Sequence, residues 1–265
     1  MEFLKLVRRR SFLSEVLYIG LNIAFAVALA VTMQTTESIP LAIGLVLVSK
    51  WRVLAVRTRY WFANIQANLV DLIVSLSVVA IMYATVMANI TEGKQLILLG
   101  LITALYVGWL LLLKPRSKRA YVVAQAAVAL FAGTGVLFSI SYGWPVSLVV
   151  IVIWVIGYAT ARHVLGAYDE TLLLPLSLMW AIVLSEIGWV AYHWTIGYRL
   201  PVVSSLFVPQ IAIIVLCVGF VAYKSYDSFF HHQKIRMNDI ILPLLFTVSI
   251  IAVLLAFFNG LGTAI

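Results

Sequence analysis

Glu186 is the residue whose surroundings most call for chemistry. It stands among Ile182, Val183, Leu184, Ile187 and Trp189, with no Lys or Arg within six positions on either side. Trp189 and His193 follow at three and seven positions, which puts all three side chains on one face of a helix. A carboxylate at membrane depth is costly, and such groups mark ion or proton routes or pair with a partner. The chemistry expected is proton or cation transfer, with Glu186 as the titrating site and His193 as a second group nearer the outer surface. The competing reading is a hydrogen-bonded carboxyl that ties helices together.

A second constellation is Asn64, Asn68, Asp71 and Ser75, spaced four, three and four apart. That spacing makes one polar stripe on a helix. Asp71 lies about 9 Å past Ile65, and Lys50 about 9 Å before Val56, at 1.5 Å per helical residue. Matching depth in adjacent apolar segments predicts a Lys50–Asp71 ion pair. It would be either a structural lock or an inward-facing polar entry for an ion or a headgroup. Gly100, Ala104 and Gly108 repeat every four residues. Such a stripe lets helix backbones approach, inside the chain or across a homodimer. Asn22, Gln125 and Gln210 are expected to make interhelical hydrogen bonds.

Several chemistries lack their motif. No HExxH, GxxxxGK[ST] or GxSxG occurs, so a metalloprotease, a motor ATPase and a serine hydrolase are poor candidates. The single cysteine, Cys217, can form neither an internal disulfide nor a CxxC site. Adjacent His231 and His232 cannot share one face of a regular helix as metal ligands. No cofactor or metal is called for.

The elements that position these residues follow from composition. The 265 residues are 64% hydrophobic and 11% charged, against about 45–50% and about 25% in a soluble domain. A span needs about 20 apolar residues. Nine segments qualify: 12–33, 39–56, 65–88, 95–113, 121–141, 145–161, 171–194, 206–223 and 240–258. The longest interval between them, Lys224 to Asn238, is far below the roughly 50 residues of a soluble domain. The expected fold is an all-α polytopic bundle of about nine spans, one transmembrane domain over 1–265. The start resembles a signal peptide, with basic Arg8–Arg10 and Ala28-Leu29-Ala30, but its apolar run is long enough to span.

The second segment is the weak one, since its apolar run stops at Val48 before Lys50 and Arg52. Charge distribution decides it. With nine crossings and the amino terminus inside, sixteen of the eighteen Lys and Arg residues face inward, and only Lys94 and Arg199 face out. If the second segment did not cross, six would face in and twelve out. The positive-inside rule favours the first arrangement, with the carboxyl terminus outside. The net charge of +8 is then topology and attraction to anionic lipid, not nucleic-acid binding.

The stretch Ser185-Glu186-Ile187-Gly188-Trp189 with Tyr192-His193-Trp194 resembles a late helix of uncharacterised multi-pass inner-membrane proteins of reduced-genome bacteria. The resemblance covers one span and implies an inner (plasma) membrane location but no activity. The leading expectation is a small transporter or permease for an ion, lipid or small solute, titrating at Glu186. The alternatives are a non-catalytic scaffold or complex subunit, with a protein partner or a second copy, and a lipid-modifying enzyme using Glu186 and His193. Membrane lipids are the expected surroundings in all three.

Overall fold

The computed structural model describes residues 12–194, 196–199 and 207–258. Nine helices follow one another within them: α1 (Phe12–Thr36), α2 (Ile39–Ser49), α3 (Trp61–Val86), α4 (Glu92–Gly108), α5 (Arg119–Ile140), α6 (Val146–Gly166), α7 (Leu173–His193), α8 (Gln210–His232) and α9 (Met237–Phe257). A two-stranded antiparallel ribbon, β1 (Gly197–Arg199) with β2 (Phe207–Pro209), lies between α7 and α8. All helices but α2 belong to segments long and apolar enough to cross a membrane, eight in number among the described residues. Their outward surfaces are apolar, as with Leu21, Ile97 and Leu242. This is the inverse of a soluble protein and fits a hydrocarbon solvent. The chain is a multi-pass membrane protein.

The second segment differs from the expected 39–56 helix. Its α-helix stops after 11 residues, about 16 Å at 1.5 Å per residue and too short to cross alone. It ends where the apolar run ends, and 3₁₀ turns at Trp51–Val53 and Thr58–Tyr60 carry the chain on. Its path is nevertheless directional. The Tyr18 hydroxyl donates to the Leu110 carbonyl at 3.4 Å, and Phe25 packs on Tyr106, so α1 and α4 are antiparallel. Gln95 Nε2 donates to the Val86 carbonyl at 3.0 Å, so α3 and α4 form a hairpin. Thus α1 ends, and α2 begins, at the carboxyl end of α3. At the other end, Trp61 Nε1 donates to the Leu54 and Val56 carbonyls and Asn64 Nδ2 to that of Val53, each at 3.0 Å. Residues 39–56 therefore run from one end of α3 to the other.

The core has two parts. One joins α1 to α4 through Leu29, Met33, Val46, Met82 and Tyr106. The other joins α5 to α8 through Leu130, Ile153, Leu184 and Val215. Ile73 on α3 touches both. The tightest interface is between α6 and α7, where glycines let the backbones approach. A Cβ at Gly157 would stand 3.0 Å from Leu184 Cδ1 and 3.1 Å from the Ala181 Cα. The Gly100, Ala104 and Gly108 stripe does not serve this way. Nothing lies within 4 Å of a Cβ built on Gly100 or Gly108, because α4 turns its large residues Leu99 and Tyr106 inward. The within-chain contact expected for that stripe is not made.

Gly157→Ala should destabilise the protein by about 1–3 kcal/mol, the usual cost of overpacking where backbone cannot yield. Chemical unfolding in detergent measures this, and an unchanged midpoint would show that α6 and α7 are not so closely packed.

Candidate functional site

The polar stripe on α3 leads into a buried ionic centre. Asp71 makes ion pairs with Lys50 and with Lys114, the latter at 2.8 Å. Trp109 Nε1 donates to the second carboxylate oxygen at 3.1 Å. One turn on, Ser75 donates to the Asp71 carbonyl at 2.6 Å and accepts from the Tyr106 hydroxyl at 3.0 Å. Sequence reasoning pairs Lys50 with Asp71 but misses Lys114 and Trp109. The reason is local backbone. Residues Trp109–Leu113 form a π-turn, with Lys114 N–H donating to the Trp109 carbonyl. In an α-helix, residues five apart point about 140° away from each other at 100° per residue. An i→i+5 turn brings the later residue round above the earlier one, so both reach Asp71.

The remaining stripe residues are committed to backbone. Asn64 holds the Val53 carbonyl, and Asn68 Nδ2 donates to the Asn64 carbonyl at 2.8 Å. Every buried side-chain polar atom of this centre has a partner inside the fold, so it locks α2, α3 and α4 together. Gln125 does similar work nearby. It donates to the Leu113 and Arg116 carbonyls at 2.7 and 2.9 Å and meets His163 Nε2 at 2.7 Å. His163 is thus in the last turns of α6, not in a loop. Gln210 bridges to the Leu254 carbonyl on α9 at 3.0 Å, whereas Asn22 bonds only within α1.

Glu186 is on the outer surface of the bundle, as are Trp189 and His193. Trp189 and His193 are in edge contact, their ring centroids 5.0 Å apart. Among the described residues, no hydrogen bond or ion pair reaches Glu186. The reading of Glu186 as a tie between helices of this chain is therefore not what the fold makes. Its place on α7 is informative: Met179, Glu186 and His193 are seven apart, so they lie on one line along the helix.

Met179 also lines a cavity of about 670 Å³. Helix α7 packs on α6, and α8 packs on α5 and α9, but α7 and α8 scarcely meet. The space between them is walled by small and apolar residues, among them Ala127, Ala161, Trp180 and Gly219. Met179, Phe220 and Phe246 belong both to the wall and to the exposed surface. Each lies within a long apolar helix, so the groove opens sideways at bilayer depth. Its few hydroxyls are already used: Thr160 on the Ile156 carbonyl, Thr247 on that of Cys217, Tyr226 on Glu170, and Tyr223 with the Tyr168 hydroxyl. Such a lining suits hydrocarbon and offers nothing to a bare ion.

The end of the groove nearest the α6–α7 turn is aromatic and charged. Tyr168 packs edge-on against Tyr226 and Phe230, with ring centroids 5.1 and 4.9 Å apart. Its hydroxyl donates to Asp227 at 2.7 Å. Burial and that carboxylate both hold the Tyr168 hydroxyl above the ordinary tyrosine range. Glu170 accepts from the Leu172 N–H at 2.9 Å and from the Tyr226 hydroxyl. Those bonds, the backbone one foremost, hold its carboxyl below the usual carboxylate range. The Arg119 guanidinium lies over the Tyr168 ring at 4.2 Å and the Phe230 ring at 5.1 Å.

No protein-family model, no curated protein and no solved structure matches this chain. Its function is argued from its own geometry.

Asp71→Asn should destabilise the fold by about 3–5 kcal/mol, because two cations lose their buried counter-charge. The double variant Lys50→Met with Asp71→Met should recover much of that loss. Unfolding in detergent measures both, and a single-variant cost under about 1 kcal/mol would place the centre in the range of exposed ion pairs instead.

Proposed function

We propose that this protein is a small permease-like carrier whose cargo is a membrane lipid or a lipid-like amphiphile, held in the groove between α7 and α8. The observation that carries the reading is an apolar cavity of about 670 Å³ opening laterally among membrane-spanning helices. At the ~30 Å³ taken by a water-sized group, it accommodates on the order of twenty methylene-sized groups. Water gains nothing there, whereas each buried methylene contributes about 0.8 kcal/mol relative to water. A bilayer supplies chains of this kind at every opening. Along α7 the line from Met179 runs outward to Glu186 and His193, so the groove has polar groups beyond each end. The proton chemistry expected of Glu186 then belongs at the outer exit of an amphiphile path, not inside an ion channel.

Nine crossings are part of the same proposal. They place the amino terminus and the basic loops on the cytoplasmic side of the plasma (inner) membrane. The charge asymmetry and the end-to-end path of residues 39–56 support this topology.

The experiment is retention of lipid through purification. Native mass spectrometry of the wild-type chain in mild detergent should show one lipid-sized adduct. Ala127→Phe with Ala161→Phe, which fills the groove from two walls, should lose it while keeping its unfolding midpoint within about 1 kcal/mol. Equal retention by both proteins would remove the groove as the binding site.

A second reading has its own observation. An exposed carboxylate facing hydrocarbon is a cost that a partner helix carrying Lys or Arg at the same depth would remove. This is the subunit hypothesis, with Glu186 as the contact. Glu186→Leu separates the two readings. If a partner covers α7, the variant loses its co-migrating complex on native gels. If lipid does, its size is unchanged and its stability holds or rises.

A further inference from the structure

The occupant of the groove can be specified further by what stands at its inner end. Arg119 opens α5, and Val123, Ala126, Ala127 and Leu130 follow it on the same helical face and line the groove. Arg119 is therefore one turn inward of the first lining residue. Its guanidinium carbon lies 4.2 Å from the centre of the Tyr168 ring and 5.1 Å from that of Phe230, and Tyr168 in turn packs on Tyr226, a groove residue.

Contact with ring faces leaves the N–H donors of a guanidinium to be matched elsewhere. Its five N–H donors lie in one plane, in a fork that fits two oxygens of a phosphate. Among the described residues, nothing occupies them. The ion pairs of the described fold are made by Lys50, Lys114, His231 and His232. The two carboxylates closest to the aromatic cluster are otherwise engaged. Asp227 takes the Tyr168 hydroxyl and lies 3.4 Å from His231, and Glu170 takes the Tyr226 hydroxyl and the Leu172 N–H. Arg162 and Lys224, at the same end of their helices, also lack a carboxylate; each lies instead over a tyrosine ring, Tyr158 and Tyr223. Three cations, Arg119, Arg162 and Lys224, thus stand near this mouth without an ion pair among the described residues, while Glu170 and Asp227 are met by neutral donors and a histidine, not by Lys or Arg.

We infer that the groove selects an anionic phospholipid, its phosphate on the in-plane N–H edge of Arg119 and one acyl chain along the wall from Val123 toward Leu130 and Gly219. The inference rests on the reading of the groove as a lipid site and names the class of lipid. Geometry sets the register: the arginine sits at the end of a membrane-spanning helix, where the phosphates of a leaflet lie, and the apolar wall begins one turn deeper. A transmembrane helix is excluded as the occupant by size: at about 10–12 Å across with side chains, it would fill about 670 Å³ within roughly two turns. Charge complementarity, not the apolar wall, gives the headgroup preference.

The test uses the full chain in nanodiscs carrying photoactivatable phosphatidylglycerol or photoactivatable phosphatidylcholine with the same diazirine acyl chain. Crosslinked peptides are quantified by mass spectrometry. In the wild type, peptides of α5 and α8 lining the groove should label several-fold more with phosphatidylglycerol. Arg119→Gln should lower the phosphatidylglycerol labelling about tenfold, the scale of losing a charge-assisted hydrogen-bonded pair, and lower the phosphatidylcholine labelling by less, since that lipid carries its own cation beside the same phosphate. Arg119→Lys, which keeps the charge and loses the fork, should fall between them and guards against a folding artefact. Equal labelling by both lipids in the wild type, or no change in Arg119→Gln, would overturn the headgroup assignment and leave the groove standing. Absence of groove labelling by either lipid, with other surface peptides labelled, would overturn the groove reading itself.

Discussion

A charge inside a bilayer has no water to turn to, and in this protein the Asp71 carboxylate meets that constraint with Lys50, Lys114 and the Trp109 indole. The three partners come from the end of α2, the turn after α4 and the π-turn itself. Asp71 is the one member whose removal leaves both cations without a counter-charge. The short α2 is therefore fixed by electrostatics as much as by its apolar face. Its carboxyl end is anchored at the depth of Asp71, and the irregular stretch from Trp51 onward is held by Trp61 and Asn64. The first four helices form a rigid frame because these polar groups satisfy one another.

The second half of the molecule is assembled on a different principle. Helices α6 and α7 meet through Gly157 and Gly188, where small residues replace the hydrophobic effect that a bilayer cannot supply. That close pairing draws α7 toward α6 and away from α8. Helix α8 is held on its other side by α5 and by α9, through Gln210 and Thr247. The groove is the result of two firm pairings with a gap between them. One end is closed by an aromatic cluster in which Asp227 and Glu170 each accept from a tyrosine, with Arg119 over the Tyr168 and Phe230 rings. A rigid frame, a lateral gap and a cation at the gap's mouth are the features on which the proposed amphiphile ligand rests.

How much of this is legible in the sequence differs by feature. The helices are, because about 20 apolar residues per span is a constraint of length alone. The Lys50–Asp71 contact follows from depth along two adjacent segments. Lys114 does not, because its direction depends on a π-turn that no periodicity of side chains reveals. The stripe of Gly100, Ala104 and Gly108 shows that a helix has a smooth face but not which way the face turns, and here it turns outward. Glu186 has the same ambiguity: its cost is visible in sequence, and its orientation depends on α7 burying Ser177, Ala181, Leu184 and Gly188 instead. The groove is invisible in sequence because it is made by helices that scarcely meet.

The most direct test of the account is an electron cryo-microscopy map of the protein in lipid nanodiscs, at a resolution that separates side chains. The account predicts chain-shaped density between α7 and α8, bounded by Ala127, Ala161 and Gly219 and ending beside Arg119. A map in which α7 packs directly on α8, with no space and no density between them, would contradict it.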